Sequence, residues 1–230
     1  MSNKGIKSLK NPKIIFAAVF ILIGFVALQI PINHLAGSKV SFTLFDLFAP
    51  VSGAFIGTWF GVVAVLLMQI LNLAFHGFAN FDRGTIIRLF PILFGVWFFA
   101  KREKNLLIIP ALAIISFNLN PIGRSVWFYS LFWLIPFLTY PLSKKSLIAR
   151  SLSSTFIAHS VGGAIWIWAF KLPPTVWIGL IPVVVMERAI MTLGISANYI
   201  LMNNVLAFLA SKVLFIKSVK IDKAYLLKLK

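Results

Sequence analysis

Glu187 and Arg188 stand side by side in an apolar run, Ile-Pro-Val-Val-Val-Met-Glu-Arg-Ala-Ile-Met-Thr-Leu-Gly, in a chain that has only five acidic residues. Charge in such a run is costly unless a partner or water meets it, so ionisable residues there are functional positions by default. Neighbours on a helix point about 100° apart. The two are therefore not expected to neutralise each other along one face, and each calls for another partner. For Glu187 the available cations are Arg88, Arg124, Arg150 and His159. Arg188 has a second reading, in which it snorkels to the inner membrane surface. His159 lies in a run spaced by four, Ser151, Thr155, His159 and Gly163, with Ser154, Ala158 and Gly162 alongside. That spacing puts the imidazole on a crowded small-residue face that cannot turn to lipid. It serves there either as a hydrogen-bonded structural group or as a ligand contact and proton acceptor. A third group, Asn118, Asn120 and Arg124 with Trp127 and Trp133, near Asn72, His76 and Arg88 on the outer side, joins amides and guanidinium groups to indole rings. These are the means to stack a flat solute and bond its edge, and equally the makings of a loop cap and interfacial belt. The substrate-binding set read from the sequence is Arg88, Asn118, Asn120, Arg124, Trp127, Trp133, His159, Trp166 and Glu187. With Arg88, Arg124 and Arg188 in or near the spans, an anionic or carboxylate-bearing solute is the natural counter-charge.

Other chemistries lack their residues. The chain has no cysteine, which removes disulfides, zinc–thiolate sites, iron–sulfur clusters and thiol nucleophiles. No P-loop, H-E-x-x-H, G-x-S-x-G or D-x-x-D is present, and five acids leave little for metal or general-base work. Catalytic residues, a metal and a cofactor are not expected, and an enzyme is disfavoured. A membrane enzyme acting on a lipid-linked substrate would have to use His159 or Glu187 as base.

The elements that position these residues follow from composition. Hydrophobic residues make up 60% of the chain and charged residues 12%, with mean hydropathy +0.96. Soluble domains carry about 25% charged residues, so the chain reads as an integral membrane protein. Its 22 Lys+Arg against 5 Asp+Glu give +17, a bias that marks the cytoplasmic face; no nucleic-acid partner is expected. Apolar runs cover residues 14–32, 42–75, 86–100, 105–119, 125–140, 151–170 and 175–216. The run 42–75 is too long for one crossing and divides at a tight turn near residues 57–61. The run 175–216 reads as two pieces about Gly194. Two full crossings there would send the lysine-rich end outward, so either one of these pieces or one of the short earlier segments stops short of a crossing. The reading is an all-α polytopic transmembrane bundle with about eight crossings, seven and nine being the neighbouring counts. Residues 1–216 form one transmembrane domain and 217–230 a basic cytoplasmic tail, either a helix on the inner leaflet or a frayed end. Lys4, Lys7, Lys10 and Lys13 hold the N-terminus in the cytoplasm, and the clusters Lys101, Arg102, Lys104 and Lys144, Lys145, Arg150 mark inner loops. Trp127, Tyr129, Trp133, Trp166, Trp168 and Trp177 fall at outer ends, as an interfacial belt does. The location is the cell membrane.

Ala49, Gly53, Gly57 and Gly61 form a small-residue stripe spaced by four, suited to close helix contact within the chain or to docking a partner. The stripe runs through the proposed turn at Gly57, so one of the two readings gives way. The segment that carries it, Phe-Asp-Leu-Phe-Ala-Pro-Val-Ser-Gly-Ala-Phe-Ile-Gly-Thr-Trp-Phe-Gly, resembles the S components of energy-coupling factor vitamin transporters; Ile-Pro-Val followed by Glu187 is similar to a segment of their cobalt and nickel branch. The resemblance implies a small integral subunit that captures a vitamin-like solute on the outer side. It also implies work with a transmembrane coupling subunit and two ATPases, with Ala49, Gly53, Gly57 and Gly61 as docking face. A structural or assembly protein without transport is the alternative reading.

Overall fold

The computed structural model describes residues 12–34, 41–77, 82–212 and 219–227. Lys4, Lys7 and Lys10, residues 213–218, and Lys228 and Lys230 lie outside them. The described chain is all-α apart from one small hairpin. Helix α1 (Pro12–Leu28) leads into strands β1 (Pro31–His34) and β2 (Ser41–Thr43), which pair antiparallel with Pro31 opposite Thr43. Helix α2 (Phe45–Phe48) continues through a 3-10 turn, Ala49–Val51, into α3 (Ser52–Ile56), and α4 (Thr58–Phe75) returns. After α5 (Arg83–Arg88) and α6 (Pro91–Lys101) come α7 (Ile108–Leu119), α8 (Pro121–Ser125), a 3-10 stretch Trp127–Leu134 and α9 (Ile135–Thr139). Two long helices, α10 (Leu147–Phe170) and α11 (Pro174–Lys212), close the bundle.

The surface is inverted relative to a water-soluble protein. Trp59, Phe60, Phe75, Leu119, Leu138 and Phe208 are exposed, while Ser151, Ser153, Ser154, Ser160, Arg188 and Asn203 are buried. Apolar residues outside and hydrogen-bonded polar residues inside are what lipid solvent selects, because helices in hydrocarbon gain nothing from hiding leucine. Three helical segments among the described residues are long and apolar enough to cross a membrane: Thr58–Phe75, Arg83–Lys101 and Pro174–Ala210. This is fewer than the eight expected. Ala18–Leu28, Phe45–Ile56 and Lys104–Leu119 are apolar but shorter, and α10, long enough at 24 residues, dilutes its apolar character with serines, Arg150 and His159.

Contacts between runs define two ends of the bundle. At one end, Gln29 donates to Asn72 at 2.7 Å, Asp46 meets Arg88, and Phe117, Tyr129 and Trp177 pack together. At the other, Trp59 lies against Trp97, Phe98 against Tyr140, and Tyr199 against both Phe55 and Phe99. The long runs thus alternate in direction. Helix α10 is central: Arg150 and Ser154, one turn apart, donate to the carbonyls of Phe99 (2.6 Å) and Gly95 (2.8 Å), one turn apart on α6.

Two expectations are corrected by close packing. The stretch from residue 175 is not two pieces about Gly194 but one helix of 39 residues, roughly 58 Å at 1.5 Å per residue. Gly194 is a notch in it, where an added methyl would come 2.8 Å from the Leu47 side chain. The stripe Ala49, Gly53, Gly57, Gly61 is not a docking face. The turn does fall at Gly57, whose φ of 98° suits glycine. It folds α3 onto α4 so closely that a methyl on Gly61 would lie 2.5 Å from the Gly53 backbone. Gly53 and Gly61 meet in this seam, and Ala49 is buried as well.

The described part of the tail packs against the bundle. Asp222 accepts from Tyr199 Oη at 3.2 Å and donates its N–H to Asn203 at 2.7 Å, Asn204 bonds the backbone of Tyr225 and Leu227, and Val219 joins the core. A helix lying free on a leaflet does not describe residues 219–227. Arg150, read as a loop cation, is also buried, its guanidinium 3.9 Å over the Phe99 ring and 5.0 Å from that of Tyr199.

Candidate functional site

A cavity of about 350 Å³ lies between α5, α6, α10, α11 and the α2 stretch, at the low end of the range of about 300–1,000 Å³ that small-molecule sites occupy. Its walls are mostly apolar, with two acid–arginine pairs, an imidazole and a phenol set among them.

The first pair joins Asp46 of α2 to Arg88 of α5, 42 residues apart. Local sequence places both ends. Asp82 caps α5 and exchanges hydrogen bonds with Thr85, and Pro91, with no N–H to give, opens α6, so the chain breaks just after Arg88. Gln69 of α4 bonds the Leu89 carbonyl at 3.2 Å and anchors the break. Asp46 Oδ2 also accepts from the Thr43 backbone at 2.7 Å, which ties the hairpin to the site. The Phe42 ring stands 5.4 Å from the Arg88 guanidinium and 4.9 Å from that of Arg188.

The second pair is Glu187 with Arg188, Arg188 Nη2 donating to Oε2 at 3.3 Å. This corrects the expectation that adjacent residues could not neutralise each other: the side chains are long enough to bridge the angle between them. Arg188 Nη1 also donates to Thr155 Oγ1 at 3.3 Å. Arg188 is 3% exposed and does not snorkel.

His159 bears out the crowded face read from its spacing. Gly163, one turn on, leaves room for Trp133, whose Cζ2 would lie 2.5 Å from an added methyl. Trp133 Nε1 donates to His159 Nδ1 at 3.1 Å, and His159 Nε2 is 3.3 Å from Tyr129 Oη. Indole can only donate, so Nδ1 is an acceptor and the neutral ring carries its proton on Nε2. That N–H is then directed at the Tyr129 oxygen, which leaves the phenolic O–H as a donor for another group.

Of the expected binding residues, Arg88, His159, Trp166 and Glu187 line the cavity. Trp133 stands behind His159 as its hydrogen-bond donor. Asn118, Asn120, Arg124 and Trp127 do not line it. Asn118 bonds Ile114 and Ser130, Asn120 caps α8 and reaches the Ile167 carbonyl, Arg124 donates to the Asn118 carbonyl, and Trp127 is 56% exposed. These four build the end of the bundle beside the cavity. Nor is the aromatic group an interfacial belt. Tyr129, Trp133, Trp166 and Trp177 are core residues, and only Trp127 and Trp168 are exposed.

Sequence reasoning missed Asp46, Tyr129 and Trp177 as cavity residues. Asp46 carried a usable signal as the other acid in an apolar run, whereas Trp177 had none beyond its type. Among the described residues no cluster of His, Asp and Glu could hold a metal ion. No family model matches the chain, nor does any curated protein or solved structure.

Proposed function

We propose that this chain is a multi-pass membrane protein that binds a small solute, serving as the substrate-binding subunit of an uptake transporter. The observation that carries the proposal is the cavity itself: a partly open space among apolar helices, walled by two largely buried ion pairs that a purely structural bundle could replace with leucine at little cost. Each cavity acid is bonded to an arginine, which suits a binding wall better than a general base.

Counted with Phe45–Ile56 as a short crossing and α11 as a single one, the helical runs among the described residues number eight, an even number that returns the two ends of the bundle's chain to one side. That side carries Lys101, Arg102, Lys104, Lys144, Lys145, Lys220 and Lys223, so the positive-inside bias makes it cytoplasmic. The cavity end, beside Arg83 and Lys171, then faces outward, as capture from outside requires. The resemblance of residues 45–61 to energy-coupling factor S components supplies the rest of the proposal, a coupling subunit and ATPases that drive release. Their docking face is not the buried stripe about Gly57.

The test is a thermal-shift screen of the purified protein against a broad vitamin and metabolite panel, with affinity capture from its native membrane. A saturable stabiliser and a co-purifying ATPase are expected. The absence of both a stabiliser and a partner refutes the proposal.

A further inference from the structure

We infer that the cavity accepts an uncharged, flat solute of one or two rings whose edge presents hydrogen-bond acceptors, such as a lactam or carboxamide heterocycle. This rests on the solute-binding reading and gives it a ligand class. It departs from the anionic solute suggested by the arginines alone.

Charge balance argues first. Both arginines on the cavity wall are already paired, Arg88 with Asp46 and Arg188 with Glu187, so the four charges sum to zero. An entering carboxylate would lose its water and find no uncompensated cation; an entering cation would find no uncompensated acid. Desolvating either in a mostly apolar space costs far more than desolvating a neutral amide.

The sign of the unused hydrogen-bonding capacity argues second. Two buried polar side-chain atoms have no hydrogen-bond partner among the described residues, Trp177 Nε1 and Arg188 Nε; both side chains line the cavity, with these nitrogens buried beneath its surface. Each can only donate. The third group is the Tyr129 hydroxyl, whose oxygen is taken by His159 Nε2–H under the relay that Trp133 imposes, so its proton is the part left to offer. Asp46 Oδ2 is occupied by Thr43 and Arg88. The Tyr129 hydroxyl is thus the donor that this relay leaves for a solute, and the solute must bring an acceptor to it.

Shape argues third. Trp166, Trp177, Tyr129 and Phe42 supply flat faces, and Gly95, Gly162 and Gly163 add backbone without side chains. Together with the cavity's small volume, these favour a ring over a branched or extended chain.

The test uses the full chain in detergent or nanodiscs and probes that share a ring but differ in charge. One set is nicotinamide, nicotinate and 1-methylnicotinamide; a second is uracil and orotate. Binding is read by calorimetry and by quenching of tryptophan fluorescence. Nicotinamide or uracil should bind at least tenfold more tightly than its charged counterparts. Tyr129→Phe should weaken that binding about five- to tenfold, the effect of one lost neutral hydrogen bond, and Trp127→Phe, outside the cavity, should not change it. Tighter binding of nicotinate, orotate or 1-methylnicotinamide would overturn the ligand class and leave the solute-binding reading standing. If no probe binds while a different solute from the metabolite screen does, the ligand class again falls alone. If nothing binds in either experiment, both fall.

Discussion

Replacing Asp46 with asparagine tests whether the cavity wall is held by the pairing of α2 with α5. The substitution keeps a carbonyl oxygen for the Thr43 N–H, which now bonds at 2.7 Å, and removes only the charge that faces Arg88. Stranding one partner of a buried pair costs about 3–5 kcal/mol. The Arg88 and Asp46 side chains are 15% and 9% exposed and border a cavity, so some screening by water is expected and the cost falls to about 2–4 kcal/mol. Arg88→Met removes the stranded cation in turn. The double variant should therefore recover part of the loss, with a coupling energy of about 1–3 kcal/mol. The assay is reversible unfolding in mixed micelles, followed by tryptophan fluorescence for the wild type, both single variants and the double variant. If the two substitutions add to within about 0.5 kcal/mol, the pair does not act as a unit and the reasoning about the cavity wall fails.

Gly163→Ala should destabilise the same bundle by about 1–3 kcal/mol through overlap with Trp133, although alanine is the better helix former by about 1 kcal/mol; an unchanged unfolding midpoint would mean that α10 and Trp133 are not so closely packed. Tyr199→Phe removes the hydrogen bond to Asp222 and should raise proteolysis and amide exchange of residues 219–227 several-fold, with global stability falling by about 1 kcal/mol. Because the chain has no cysteine, topology can be read from single introduced ones. Lys171→Cys should react with an impermeant maleimide added outside intact cells and Lys101→Cys only after permeabilisation; the opposite labelling would reverse the orientation proposed for the cavity.

Membrane residence and helical architecture were legible in the sequence because each depends on residues close together in the chain. A run of apolar residues satisfies its own backbone as a helix wherever it sits in lipid, and glycine at a turn relieves strain locally. The turn at Gly57 and the protein-facing stripe through Thr155 and His159 were therefore readable, as was the suspicion attached to Glu187. Pairings were not. Arg88 meets Asp46 across 42 residues, and Glu187 turns to the neighbour that simple helix geometry had ruled out, because partner choice depends on which helices pack and how far a long side chain can bend. The same holds for Gly194, a break by composition and a notch for Leu47 in the packed structure, and for the tryptophans, whose amphipathic rings suit an interface or a core equally well. Of the arginines read first as an excess near the spans, Arg88 and Arg188 form, once the helices are packed, two balanced pairs around a small apolar space, while Arg124 bonds the Asn118 carbonyl outside it. Hydropathy fixes where a segment resides, but only tertiary contact decides which charges cancel, and the proposed ligand class rests on that cancellation.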